Sequence, residues 1–243
     1  MLAPLRLAFA FLTRLPLPAP AAEPAQLGAA VSWFPLVGLV LGAVQYLSFS
    51  LLHTTLDPLL LGVALVSLHA LLSGALHLDG LADVFDGLSG GRGDRARTLE
   101  IMRDPRLGAH GACALVLCLL GKCAASSELC QRGDWQPLLA APVCARFAAV
   151  LLIRFYPYAR PEGLGRAFHD HSRGKHVLAA ALLGALGVGW LGLSALGMLA
   201  VALVIAAGIA FWVQRRIGGL TGDAYGAAIE LAELGVLVAG RWL

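Results

Sequence analysis

Residues 77–86, HLDGLADVFD, place three carboxylates within eight positions of a chain that is 58% hydrophobic. On a helix Asp79, Asp83 and Asp86 fall at i, i+4 and i+7, within about 60° of one another. Three ionised carboxylates on one face repel, and beside a membrane such a face persists when a cation or a cationic side chain neutralises it. Oxygen donors in this number suit Mg²⁺, which takes one or two carboxylates and shares substrate phosphate oxygens. The plainer account is capping and solvated loop, because the Asp-Gly pairs at 79–80 and 86–87 are also turn signals.

A second acidic set lies in GGLTGDAYGAAIELAEL, residues 218–234. Asp223, Glu230 and Glu233 share a helical face about 80° wide, and the two glutamates stand in an apolar stretch where a charge needs a partner. They either join the first carboxylates, completing a metal shell or orienting substrate, or pair with Arg146 or Lys122. Between the two sets runs SGGRGDRARTLEIMRDPRLGAHG, residues 89–111. Its glycines let backbone approach a ligand, and the guanidinium forks of Arg97, Arg103 and Arg106 match phosphate oxygens. Carboxylates for a cation beside arginines for phosphate are the chemistry of a pyrophosphate substrate. Without a GxxxxGK[ST] loop, a P-loop ATPase is disfavoured.

The elements that must hold these residues are membrane helices. Mean hydropathy is +0.77 and only 14% of residues are charged, which excludes a soluble domain of this length. Apolar blocks of about 20 residues match bilayer spans. We read an all-α, polytopic integral membrane bundle with about seven transmembrane helices, at 31–52, 58–78, 108–128, 136–155, 176–194, 196–213 and, more weakly, 224–240. Residues 1–243 form a single membrane-embedded domain. The apolar run Leu7–Leu12 is short and closed by Arg14, so this segment is expected to be a retained interfacial helix despite the cleavage-like PAPAA that follows. Fourteen of the eighteen Lys and Arg fall on one side of this topology, which puts the N-terminus and the loops 79–107, 154–176 and 214–223 in the cytoplasm. The five cysteines form no CxxC pair and are expected as buried small hydrophobes.

FLTRLPLP (11–18), FPLVGLVLG (34–42), HLDGLADVFDG (77–87), LEIMRDPRLGAHG (99–111), YARPEGLG (158–165) and GGLTGDAYGAAIELAE (218–233) occur in order along nearly the whole chain. Together they resemble the cobalamin synthase family, the adenosylcobinamide-GDP ribazoletransferases of the bacterial inner membrane. The resemblance implies an Mg²⁺-dependent transferase that joins adenosylcobinamide-GDP to α-ribazole or its 5′-phosphate, releasing GMP and giving adenosylcobalamin or its 5′-phosphate. Small-molecule substrates and the lipid bilayer are then the partners, with no nucleic acid; self-association is left open.

On that reading Asp79, Asp83 and Asp86 hold Mg²⁺ against the pyrophosphate. Arg103 and Arg106, with Arg97, neutralise the departing phosphate, while Asp223, Glu230 and Glu233 complete the metal shell or hold the ribazole ribose. His110 is a candidate base for the attacking hydroxyl. His77 points about 160° from Asp79 on an ideal helix and is expected to make a structural hydrogen bond; His169 and His171, two apart, are expected in a loop rather than as a metal pair. Three other readings are weighed. A CDP-alcohol phosphotransferase would need DGxxAR where this chain has DGLAD. A ubiquinone-type prenyltransferase would show NDxxD-like motifs, yet the chain has no Asn. A proton-coupled transporter could use Glu230 and Glu233 as relays.

Overall fold

The computed structural model describes residues 2–16 and 23–243. Leu17, Pro18 and the rest of PAPAA lie outside the described residues. Among the described residues the chain forms twelve α-helices and no strand. In order they are α1 (Leu2–Leu12), α2 (Pro24–Ala30), α3 (Phe34–Leu52), α4 (Pro58–Ser73), α5 (Leu76–Gly90), α6 (Arg95–Ile101), α7 (Ala109–Arg132), α8 (Gln136–Phe155), α9 (Leu164–His171), α10 (Gly174–Val188), α11 (Leu193–Ile217) and α12 (Gly222–Ala239). Single 3₁₀ turns join α2 to α3 and follow α10.

Among the described residues, five segments are long and apolar enough to cross a bilayer: Pro24–Leu52, Ala109–Arg132, Gln136–Phe155, Gly174–Leu191 and Leu193–Ile217. A sixth results if α4 and α5 are taken as one broken span. Leu117, Leu120, Leu186 and Val204 lie exposed on α7, α10 and α11, as lipid-facing surfaces require. In the middle of the bundle stands α8, whose apolar window is 78% buried against 22% for α10. Against α8 packs α3, and a Cβ at Gly38 or Gly42 would meet the Pro142 or Leu139 carbonyl oxygen at 2.4 or 2.2 Å. The glycines four apart in FPLVGLVLG thus permit backbone-to-backbone approach, the means by which membrane helices associate.

Two of the seven expected spans are corrected. The 58–78 segment is no continuous span, because Gly74 (φ 64°) and Ala75 (φ 56°) both adopt the left-handed conformation, ending α4 and starting α5 at 90° to it. The carboxylate helix α5 is therefore a separate element at a right angle to α4 and not its straight continuation. The expected last span, 224–240, is α12; it carries Asp223, Glu230 and Glu233 and lies buried against α5, α7, α8 and α11. Other expectations also shift. Both histidines of FHDHS are helical, in the last turn of α9, with His169 Nδ1 2.8 Å from the Ile153 carbonyl oxygen and His171 Nδ1 3.0 Å from that of Ala167. Of the cysteines, Cys118, Cys130 and Cys144 are buried but Cys113 is exposed.

The basic loops meet at one end. Arg95 donates to the Ile217 carbonyl at 2.8 Å and to the Ala159 carbonyl at 2.9 Å, tying together the connections that precede α6, α9 and α12. Two backbone hydrogen bonds reinforce the tie, Ala159 to the Leu220 carbonyl and Leu220 to the Pro157 carbonyl, both 2.7 Å. Arg132 and Arg241 lie at the other end, where each approaches Glu128.

Candidate active site

Two neighbouring cavities open where α5, α12 and the tied loops meet. The first, about 320 Å³, is edged by Asp79, Asp83, Arg103, Asp104 and Arg106. The second, about 250 Å³, is lined by Asp79, His77, Arg160, Asp223 and Tyr225 over an apolar wall of Phe11, Phe34 and Phe168. Asp79 belongs to both.

Close helix packing brings the first and second acidic sets together. A Cβ on Gly80 would sit 2.8 Å from the Asp223 carbonyl oxygen and 2.9 Å from its Cα, so α5 rests on α12 with only a hydrogen at the contact. In consequence Asp83 has Asp223 and Asp79 as neighbouring charges. Its own burial, then those two carboxylates, push its carboxyl up to about 7, with Arg160 pulling the other way. Burial likewise raises Asp223, against the favourable Arg160 guanidinium. Arg160 reaches Asp223 at 2.8 Å, and Thr221, the N-cap of α12, donates to the same carboxylate at 3.2 Å.

The expected site residues separate into groups. Asp79, Asp83, Asp223, Arg103 and Arg106 edge these two cavities. Arg106 stands exposed, its guanidinium paired with Asp104, whose carboxyl these bonds hold down at about 2. Asp86 faces elsewhere: its two oxygens accept the Gly108 and Gly111 amides, each at 2.8 Å. It thereby caps the otherwise unpaired amides at the start of α7. Arg97 also turns away, its guanidinium 2.7 Å from Glu100 on the exposed face of α6. His110 is exposed on the first turn of α7.

Glu230 and Glu233 do not join the cavities. Lys122 Nζ lies 2.6 Å from both, Arg146 pairs with Glu233, and all four side chains are buried. His69 Nε2 stands 3.2 Å from Glu233, and Gln45 Nε2 3.0 Å from His69 Nδ1. The alternative of a helix-to-helix pair with Arg146 or Lys122 is the arrangement observed. For His77 the expected structural hydrogen bond is corrected: neither ring nitrogen has a partner among the described residues.

Sequence reasoning missed Arg160. Its signal was present in YARPEGLG, where the following proline favours extended backbone, but its partner is 63 positions away at Asp223 and nothing local marks the pairing.

Among the described residues no three His, Cys, Asp or Glu side chains form a ready-made metal group. Mg²⁺ does not need one, because one or two carboxylates with substrate phosphates and water suffice. Asp79 and Asp83 fit that requirement: they edge one cavity with Arg103, and the crowding that raises Asp83 is what a divalent cation would relieve. Asp86 lies outside the lining of that cavity, and each of its oxygens accepts one backbone amide.

Comparison with known proteins gives a consistent result. The family described as cobalamin-5-phosphate synthase matches residues 4–240. The chain is similar to the adenosylcobinamide-GDP ribazoletransferase of Pseudomonas paraeruginosa, 46% identical over 97% of this chain and 96% of that protein. It is similar to the enzymes of the same name from Syntrophobacter fumaroxidans, 44% identical over 96% of this chain and 95% of the relative, and Ectopseudomonas mendocina, 43% identical over 98% of both. No solved structure matches.

Proposed function

This chain belongs to the cobalamin-5-phosphate synthase family, and from that premise we propose that it moves the adenosylcobinamide-phosphate group of adenosylcobinamide-GDP onto α-ribazole or α-ribazole 5′-phosphate. GMP is released, and adenosylcobalamin or its 5′-phosphate is formed. The observation that carries this reading is the junction at Asp79, where a cavity edged by arginines meets a second one walled by aromatic rings.

The pyrophosphate lies in the first cavity, with its charge facing Arg103 and Arg106. The ribose 3′-hydroxyl of ribazole comes from the second and forms an oxygen–phosphorus bond at the phosphorus carrying the cobinamide arm. The bond from that phosphorus to the bridging oxygen breaks, and this oxygen leaves with GMP. Asp223, raised by burial and set at the mouth of the second cavity, receives the hydroxyl proton. Arg160 holds the Asp223 carboxylate in place. Asp79 and Asp83 would hold Mg²⁺, which when bound supplies charge neutralisation at the pyrophosphate. The bacterial inner membrane is the proposed location, with the basic loops cytoplasmic; the gathering of those loops at one end by Arg95 supports that orientation.

The test is purified protein in nanodiscs with adenosylcobinamide-GDP, α-ribazole and Mg²⁺. GMP and complete corrinoid should appear in equal amounts and stop on adding EDTA. Failure to release GMP overturns the reaction, and turnover in EDTA overturns the metal.

A further inference from the structure

The second cavity holds an unusual set of polar groups. Both His77 ring nitrogens, the Tyr225 hydroxyl and Arg160 Nε are buried without a hydrogen-bond partner among the described residues, and all three side chains line this cavity. An orphaned buried donor costs folding stability, and native proteins carry few. Three around one space point to a ligand that satisfies them.

The cavity is graded. At its mouth are Arg160 and Asp223, with side chains 14% and 21% exposed; deeper are His77 at 4% and Tyr225 at 6%. Phe11, Phe34 and Phe168 form one mutually packed wall, with ring centroids 4.9 to 6.1 Å apart. A space with apolar, aromatic walls and a few convergent polar groups suits a flat heterocycle.

Resting on the reaction above, we propose that this cavity selects the acceptor nucleoside by its base, a flat, largely apolar bicyclic ring with one ring-nitrogen acceptor, and that the His77 and Tyr225 donors share that nitrogen's single lone pair in a three-centre hydrogen bond. The His77 ring N–H and the Tyr225 O–H are the two donors available on the floor, and Arg160 Nε is left for the ribose end. Guanine is a poor match, because its edge alternates several donors and acceptors that two groups cannot satisfy. With the base on the floor, the ribose lies toward Asp223 and Arg160, and its hydroxyl approaches the Asp79 boundary.

The experiment measures equilibrium binding of α-ribazole, and of the indole riboside in which that nitrogen is replaced by C–H, to nanodisc-embedded protein. A site built around a hydrogen bond rejects the analogue lacking it, so the unsubstituted protein should prefer α-ribazole by about tenfold or more. Tyr225→Phe and His77→Leu should each weaken α-ribazole binding by roughly tenfold and shrink the preference toward one, with the KM for adenosylcobinamide-GDP within about twofold. Tyr225→Phe removes a hydroxyl that has no hydrogen-bond partner among the described residues, so the fold survives it and the test stands even if His77→Leu misfolds. An unchanged preference in Tyr225→Phe, or a loss confined to the GDP-activated corrinoid, overturns the proposal. Selective binding of α-ribazole without turnover would keep the proposal and remove the reaction. Turnover with no selectivity for the nitrogen would do the reverse.

Discussion

Two acidic clusters draw on α12, one shared with α5 and one within α12 itself, and they have opposite character. At its start Asp223 faces Asp79 and Asp83 across the Gly80 contact, with Arg160 as its ion-pair partner and two cavities beside it. Seven and ten residues on, Glu230 and Glu233 meet Lys122 and Arg146, two anions against two cations in a buried setting. The first cluster carries surplus negative charge and reaches solvent. In the second, opposite charges are equal in number. An acidic cluster left short of cations is suited to recruiting one from solution, whereas a matched one fixes helices. The transporter reading loses its basis here, since both glutamates are held in ion pairs.

The comparison breaks most readily in the buried quartet. Lys122→Met leaves the buried Glu230 without its cation while Glu233 keeps Arg146, and should cost about 3–5 kcal/mol of stability, read as a lowered midpoint of denaturation in detergent. The folded fraction should keep its kcat/KM, and an inactive variant of normal stability would move the quartet into the chemistry. Asp83→Asn should do the opposite, leaving the denaturation midpoint in place while GMP release falls by about 100-fold or more, an amount usual for losing a charge-stabilising group.

Acidity sharpens the contrast. Because Asp83 stands near 7 without a cation, it holds its proton below that pH and releases it above. Mg²⁺ must displace that proton, so affinity should weaken up to about tenfold per pH unit below 7 and level off above it. Calorimetric titration with Mg²⁺ at pH 6 and 8, in two buffers of different ionisation enthalpy, measures both the affinity and the proton released. Equal affinities at the two values would mean that Asp83 is no ligand. Smaller effects belong to the arginines. Arg106→Ala should raise the KM for adenosylcobinamide-GDP severalfold while leaving that for α-ribazole unchanged. Arg97→Ala, which breaks an exposed i,i+3 pair with Glu100, should change steady-state rates by less than about twofold.

Much of this could be read from residue spacing, and the exceptions have physical causes. The helical repeat of Asp79 and Asp83 survives in α5, and five of the seven apolar blocks became spans. The turn between α4 and α5 was hidden because a lone Gly74 inside an apolar run is compatible with a continuing helix, and Ala75 gives no sign of a left-handed backbone. Asp223 and Glu230 were grouped because they share a helical face. Face says nothing about height, and seven residues climb about 10 Å along the axis, far enough to pass from a cavity into a sealed interior. Asp86 has the right spacing, but its oxygens are taken by amides 22 and 25 positions onward, a long-range use that no local pattern announces. Arg160 escaped notice for the same reason.

Gly80 carries no charge and has no side chain to offer a substrate, yet it governs how hard the neighbouring anions press on one another. With bare backbone against bare backbone at that point, α5 and α12 cannot drift together any further, and their packing elsewhere keeps them from springing apart. The mutual repulsion of Asp79, Asp83 and Asp223 is thus stored in the architecture before any ion arrives, so an incoming cation is drawn by a preset field instead of having to gather its own ligands. The smallest residue in the chain serves as the gauge block that sets the strength of that field.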